Sequence, residues 1–148
     1  MNIALRVRNL IKRYETRDPF RIAEELGIII KYKPCEETKG YFLKVNTNKF
    51  IVINSNLSEL EQLVVCSHEL GHALLHANNK YVLTYEKGVA MVQDFTLFPV
   101  NSIYANQANK FAAELLMDSE FFDDVLLQHT NLDPKIYETL MRLKHTRI

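Results

Sequence analysis

The residues with the clearest capacity for chemistry are His68, Glu69 and His72, in the run His68-Glu69-Leu70-Gly71-His72. Residues four apart on a helix lie about 40° apart in projection and roughly 6 Å apart in rise, so two imidazoles can converge on one ion. Glu69 sits beside the first ligand, on the flank of that face, where it reaches a water on the metal rather than the metal itself. Zinc lowers the pKa of such a water, and a carboxylate can take its proton as hydroxide attacks a peptide carbonyl. The same carboxylate can then hand the proton to the leaving amine. On this reading His68 and His72 are metal ligands, Glu69 is the general base and Zn2+ is the cofactor, although the same donors accept other divalent ions.

A five-residue pattern with two free positions also arises by chance. The plain alternative is a helix whose polar face happens to carry His68, Glu69, His72 and His76. The surroundings favour the metal, because the motif lies inside a strongly apolar stretch where two histidines and a glutamate are costly to bury without a partner. His76 stands about 12 Å along the helix from His68, too far for one tetrahedral ion to be shared by all three histidines, and reads as a supporting residue. Cys66, two residues before His68, falls on the opposite side of the helix and reads as a small core residue. His129 and His145 lie in or near terminal helices and read as solvated.

The elements that must position this motif follow from patterning. Apolar residues at Ile3, Leu5, Val7, Leu10 and Ile11 predict a helix over 3–16. Asp18-Pro19 opens a second helix that stops at Gly27. Ile28–Tyr32, Gly40–Val45 and Lys49–Ile53 are three strand candidates, the last two joined by the polar link Asn46-Thr47-Asn48 that suits a hairpin. Ser58 with Glu61 forms a capping-box pattern ahead of the long helix that carries the motif. Residues 78–100 show weak periodicity and read as an irregular excursion. A helix over about 101–117 follows, then one over 119–128 capped by Asp118, and a last one opened by Asp133-Pro134 and ending near Lys144. The order predicts an α+β fold: a small, partly antiparallel sheet of about three strands packed with five to six helices.

The chain has 148 residues, an ordinary length for one domain, and is read as a single domain over 1–148. Its 47% hydrophobic and 24% charged composition excludes a disordered chain. No stretch approaches the roughly 18 apolar residues of a membrane span. Eighteen basic against eighteen acidic residues leave no net charge, so the electrostatic footprint of a direct nucleic-acid binder is missing. Two cysteines without paired spacing, and an N-terminus lacking a signal-peptide pattern, give a cytoplasmic expectation.

Two motifs together carry a family resemblance. The stretch Cys66-Ser67-His68-Glu69-Leu70-Gly71-His72-Ala73-Leu74-Leu75-His76, followed by Ala108-Asn109-Lys110-Phe111-Ala112-Ala113-Glu114-Leu115-Leu116-Met117, resembles the ImmA/IrrE family of metallopeptidases. Ile22–Ile28 is similar to the family's leading helix and strand, and Phe50–Asn54 to the strand before its zinc helix, so the likeness covers roughly residues 20–120. The resemblance implies a compact zincin-like domain, found in bacteria, temperate phages and integrative elements. Members similar to ImmA cleave a helix-turn-helix repressor and so relieve repression of the mobile element; others work in stress response or toxin–antitoxin pairs. It therefore implies a site-specific endopeptidase whose partner is a separate regulatory protein. By analogy with zincins, the Lys49–Asn54 strand is a candidate sheet edge for the substrate peptide.

The chain departs from the family at one point. The third zinc ligand there is usually a glutamate three residues before the Ala-Asn pair, and here that position is Ala105. Alanine cannot ligate, and a catalytic zinc normally takes three protein ligands. Glu114, roughly 13 Å further along the same helix, is a poor substitute; Glu86 and Asp94 are conceivable donors that nothing in the sequence requires. Three explanations stand open: an introduced glutamate-to-alanine change that traps or silences the enzyme, a natural member that acts by binding, or a different third ligand. The main expectation is thus a zinc-dependent endopeptidase impaired at Ala105. A non-catalytic antirepressor that sequesters its partner is the alternative, and a structural α+β domain with an accidental motif is the third reading.

Overall fold

Local signals start the helices. Asn2 accepts a hydrogen bond from Leu5 N at 3.0 Å to open α1 (Ile3–Tyr14). Asp18 accepts from Phe20 N at 3.0 Å, and Pro19 takes the first position of α2 (Pro19–Glu25). Gly27, in the left-handed region at φ 75°, then turns the chain into β1 (Ile29–Lys33). The computed structural model describes residues 1–36, 38–78, 84–86, 89–94, 103–128 and 134–146.

β2 (Gly40–Val45) and β3 (Asn48–Asn54) form the expected hairpin, with Val45 opposite Asn48. Asn46 sits at φ 56° in the link, a conformation asparagine tolerates better than most residues. Ser58 Oγ accepts from Glu61 N at 3.3 Å to start α3 (Glu59–Leu75). After it come β4 (Thr84–Glu86), β5 (Val89–Asp94), α4 (Ile103–Leu116), α5 (Glu120–Leu127) and α6 (Pro134–Thr146). The described residues thus hold six helices around one mixed sheet, the α+β arrangement anticipated from the order of elements.

The sheet has the order β1-β3-β2-β5-β4. β1 runs parallel to β3, and the other pairs are antiparallel. Three points correct the sequence reading. The stretch expected as an irregular excursion contributes β4 and β5, which pair with each other locally and extend the sheet from the far side of β2; β5 gains its place in the sheet from β2, more than forty positions away, which no local pattern marks. The Lys49–Asn54 strand is not an edge: β1 pairs along one side of β3 and β2 along the other, which closes it to an added peptide strand. Asp118 does not cap α5. It ends α4 in the left-handed region at φ 55°, and Ser119 supplies the cap by accepting from Phe122 N at 3.1 Å. Asp133, expected to cap α6, lies outside the described residues.

Burial follows strand position. β3 is buried on both faces at Ile51, Val52 and Ile53, and α3 packs against it. β1 leaves Ile29 and Tyr32 exposed, and exposed Lys31 and Lys33 put charge on an open edge. Asn54, buried at the end of β3, organises the preceding loop. Its Oδ1 accepts from Cys35 N at 3.2 Å and Asn56 N at 2.9 Å, and its Nδ2 donates to Cys35 O at 2.9 Å and Thr38 O at 3.1 Å.

α3 is the hub of the core. It packs on β2 and β3, on α2 and on α4, and is buried continuously from Leu63 to Ala73, as an apolar helix surrounded by other elements should be. α4 is covered in turn by α1 and α6. Arg17 Nη1 donates to the Glu114 and Leu115 carbonyl oxygens at 3.2 and 2.9 Å, placing a cation at the negative end of α4. No helix among the described residues is long and apolar enough to cross a membrane.

Gly40 marks a close approach between sheet and hub. A Cβ there would lie 2.7 Å from Val65 Cγ1, 2.8 Å from Val52 O and 3.8 Å from Glu69 Cγ. The backbone oxygen cannot yield as a side chain can, so Gly40→Ala should destabilise the protein by about 1–3 kcal/mol. A lower urea midpoint with unchanged slope is the expected result; an unaltered midpoint would show that the sheet shifts freely here.

Candidate metal centre

The candidate site is built where two helices nearly touch. A Cβ added at Gly71 would meet Phe111 Cβ at 3.1 Å and Ala108 Cα and O at 3.2 Å each. Glycine on α3 facing alanine on α4 lets the two backbones approach closely, and contacts between the polar side chains of the facing helix surfaces become possible. The pairs run in reverse order along the two helices: His68 meets Asn109, while His76 meets Gln107 and Tyr104. The helices are therefore antiparallel.

The structure brings His68, Glu69 and His72 into one buried cluster, with relative exposures of 0%, 0% and 1%. The rings of His68 and His72 have centroids 4.8 Å apart and planes at 84°. His68 Nδ1 lies 2.7 Å from Asn109 Oδ1. His72 Nδ1 lies 2.9 Å from His76 Nδ1, and His76 Nε2 lies 2.8 Å from Gln107 Oε1. The His76 ring also packs edge-on against Tyr104, with centroids 5.3 Å apart.

This donor set fits a metal in one respect and falls short in another. Both imidazoles have Nδ1 engaged, which leaves ligation to Nε2, and an outer hydrogen bond at the second ring nitrogen is the usual arrangement around a ligating histidine. A third protein donor is missing from what is described. Among the described residues no group of three or more His, Cys, Asp or Glu side chains could hold an ion. Ala105 is 3% exposed and lies one helical turn before Asn109 on α4. Glu114 lines a cavity between α1 and α4 with Ala4, Val7, Arg8 and Arg17, away from the histidines. The side chains of Glu86 and Asp94 lie outside the described residues, although Asp94 pairs in register with Gly40.

The remaining sequence candidates divide cleanly. His76 supports His72 from the Nδ1 side, opposite the nitrogen left for a metal, as its distance from His68 implied. Cys66 is fully buried in the core. His145 is exposed, and His129 lies outside the described residues. The roles of Asn109, Gln107 and Tyr104 were missed. Asn109 was visible only as part of the Ala108-Asn109 pair, and Gln107 carried no signal, because its partner is on another helix 31 positions away.

The electrostatics agree with an apolar setting. Burial pushes the Cys66 thiol well up, and the charges of Asp18 and Glu69 push it further. A thiol held protonated in this way is neither nucleophile nor metal ligand near neutral pH.

An α+β domain with a buried histidine pair on its central helix is the architecture of a metallopeptidase-type fold. The family model for the IrrE N-terminal-like domain, Peptidase M78, matches residues 23–143, and the chain belongs to that family. A relative named uncharacterized immunity region protein 2, from Bacillus phage phi105, is 39% identical over 130 residues, covering 86% of this chain and 73% of that protein. No solved structure matches the chain.

The two free cysteines differ in exposure, Cys35 being intermediate and Cys66 buried. Titration with an aromatic disulfide at neutral pH should therefore count one thiol in the folded protein and both in denaturant. Prompt reaction of both in the folded state would show that Cys66 is not sealed in the core.

Proposed function

We propose that this chain is a regulatory protein of the phage immunity type, built as a zinc-dependent, site-specific endopeptidase whose target is a helix-turn-helix repressor on a separate polypeptide. The observation that carries the reading is the buried pair His68 and His72, each held at Nδ1 through α4, with Glu69 buried beside them. Membership of the Peptidase M78 family and the likeness to a phage immunity-region protein support it. His68 and His72 would hold the zinc through Nε2. The zinc would supply Lewis acidity toward water and the scissile carbonyl.

Glu69 is the proton carrier in this scheme. It takes a proton from the attacking water and returns it to the leaving amine, and its apolar surroundings keep bulk water from competing. The substrate is one folded partner rather than protein at large, and the place of action is the cytoplasm, where such a repressor works. Nucleic acid is reached only through that partner, since the chain has no net charge.

Ala105 qualifies the proposal. It takes the place where the family pattern carries the third ligand, so this chain is an impaired hydrolase. The same residue supports a second reading, a non-catalytic antirepressor that sequesters its target. Glu69→Gln separates the two: it abolishes the biological effect of a peptidase and leaves that of a sequestering protein intact.

Metal content provides the direct test. Prepared identically, Ala105→Glu should retain about one zinc per chain, and its affinity should exceed that of the present chain by more than about 100-fold, beyond the usual cost of losing an outer-sphere contact. Co-expressed with a helix-turn-helix repressor encoded beside its own gene, the same variant should yield two defined repressor fragments. Equal zinc in both proteins would place the third donor elsewhere, and intact repressor beside a zinc-loaded variant would remove the peptidase reading.

A further inference from the structure

The three side-chain hydrogen bonds between and along α3 and α4 each need one proton, and their acceptors determine where it sits. A carboxamide oxygen only accepts. Asn109 Oδ1, 2.7 Å from His68 Nδ1, therefore requires the proton of a neutral His68 to be on Nδ1. Gln107 Oε1, 2.8 Å from His76 Nε2, requires the proton of His76 to be on Nε2. A neutral His76 then has its lone pair on Nδ1, and it accepts from Nδ1–H of His72 at 2.9 Å.

We infer that α4 sets the ring tautomer of both candidate ligands: Asn109 acts directly on His68, and Gln107 acts on His72 by relay through His76. Gln107 and His76 are thus positioning residues for His72. The result is that both Nε2 atoms carry lone pairs, the form in which a histidine can ligate a metal. An isolated neutral imidazole can place its proton on either nitrogen, so without the relay His72 would spend part of its time with Nε2 protonated and unable to bind an ion.

The geometry of the relay is specific to this pair of helices. His76, the C-cap of α3, follows His72 by four residues, so its ring packs against the first at a tilt of 51°, with centroids 5.1 Å apart. Tyr104, edge-on to His76 from α4, restricts the relay ring. Gln107 and Asn109 flank Ala108, the residue that meets Gly71. One close contact between the backbones therefore brings both carboxamides into range.

This inference rests on the metal-centre reading for its purpose but not for its test, which is made on the metal-free chain. Ring nitrogen–proton correlation spectra of the 15N-histidine-labelled protein, recorded well above the ordinary histidine pKa, report which nitrogen of each ring is protonated. The expected pattern is Nδ1–H for His68 and His72 and Nε2–H for His76. Gln107 is only partly buried, so Gln107→Leu should fold. In that variant His72 should lose its exclusive Nδ1–H form and His68 should keep it, and Gln107→Glu, which retains an oxygen acceptor, should restore His72. Finding His72 protonated at Nε2 in the unaltered chain would overturn the relay. So would an unchanged His72 in Gln107→Leu, or a simultaneous change at His68, which would indicate general disturbance of the helix pair. A correct tautomer pattern in a chain that proved unable to bind zinc even as Ala105→Glu would leave the relay standing and remove only the metallopeptidase proposal.

Discussion

The close approach of α3 and α4 at Gly71 and Ala108 is the constraint on which the rest of the structure depends. With Cα and O of Ala108 only 3.2 Å from the place a Gly71 side chain would begin, a side chain there would have to push the two helices apart by a few tenths of an ångström. The short distance is what allows carboxamides on one helix to reach imidazoles on the other. It also buries α3 so completely that its polar residues must be satisfied by neighbours rather than by water. The sheet enforces the same arrangement from the opposite side, where Gly40 admits Val65 and Glu69 to within side-chain contact of β2.

The cluster is consistent with its surroundings in the way expected of a functional site. Most of α3 is apolar and tightly packed, as at Leu63, Val64, Leu70 and Ala73. Against that background, placing two imidazoles and a carboxylate at nearly zero exposure gains nothing for folding alone. A helix with leucine at those positions would be easier to bury. Ala105, on the facing helix, is itself nearly buried at 3% exposure.

Much of this was legible in the sequence because the signals are local. The HExxH spacing places both histidines on one helical face, Asp18-Pro19 and Ser58 start their helices through contacts two or three residues away, β-branched runs mark β1 and β3, and the aromatic pair Tyr41-Phe42 marks β2. What was not legible depends on partners far along the chain. β5 is a strand because β2 lies beside it, and β3 is interior because β1 returns parallel to it. Asn109 and Gln107 matter only through histidines 41 and 31 positions away. The cap of α5 was missed by one residue, since Asp118 and Ser119 are both good capping types and only the left-handed backbone at Asp118 decides between them.

The contact of Arg17 with the last carbonyls of α4 has a consequence for cooperativity. α4 carries Asn109 and Gln107 near its middle and ends under a guanidinium from the link between α1 and α2. Opening that link uncaps α4, and fraying of the last turn of α4 frees the link, so opening of either segment favours opening of the other. The residues that hold the histidine pair in place thus lie on a helix closed by a segment more than ninety positions earlier in the chain, and a disturbance at the start of the chain reaches that helix through Arg17 and through α1, which packs on it.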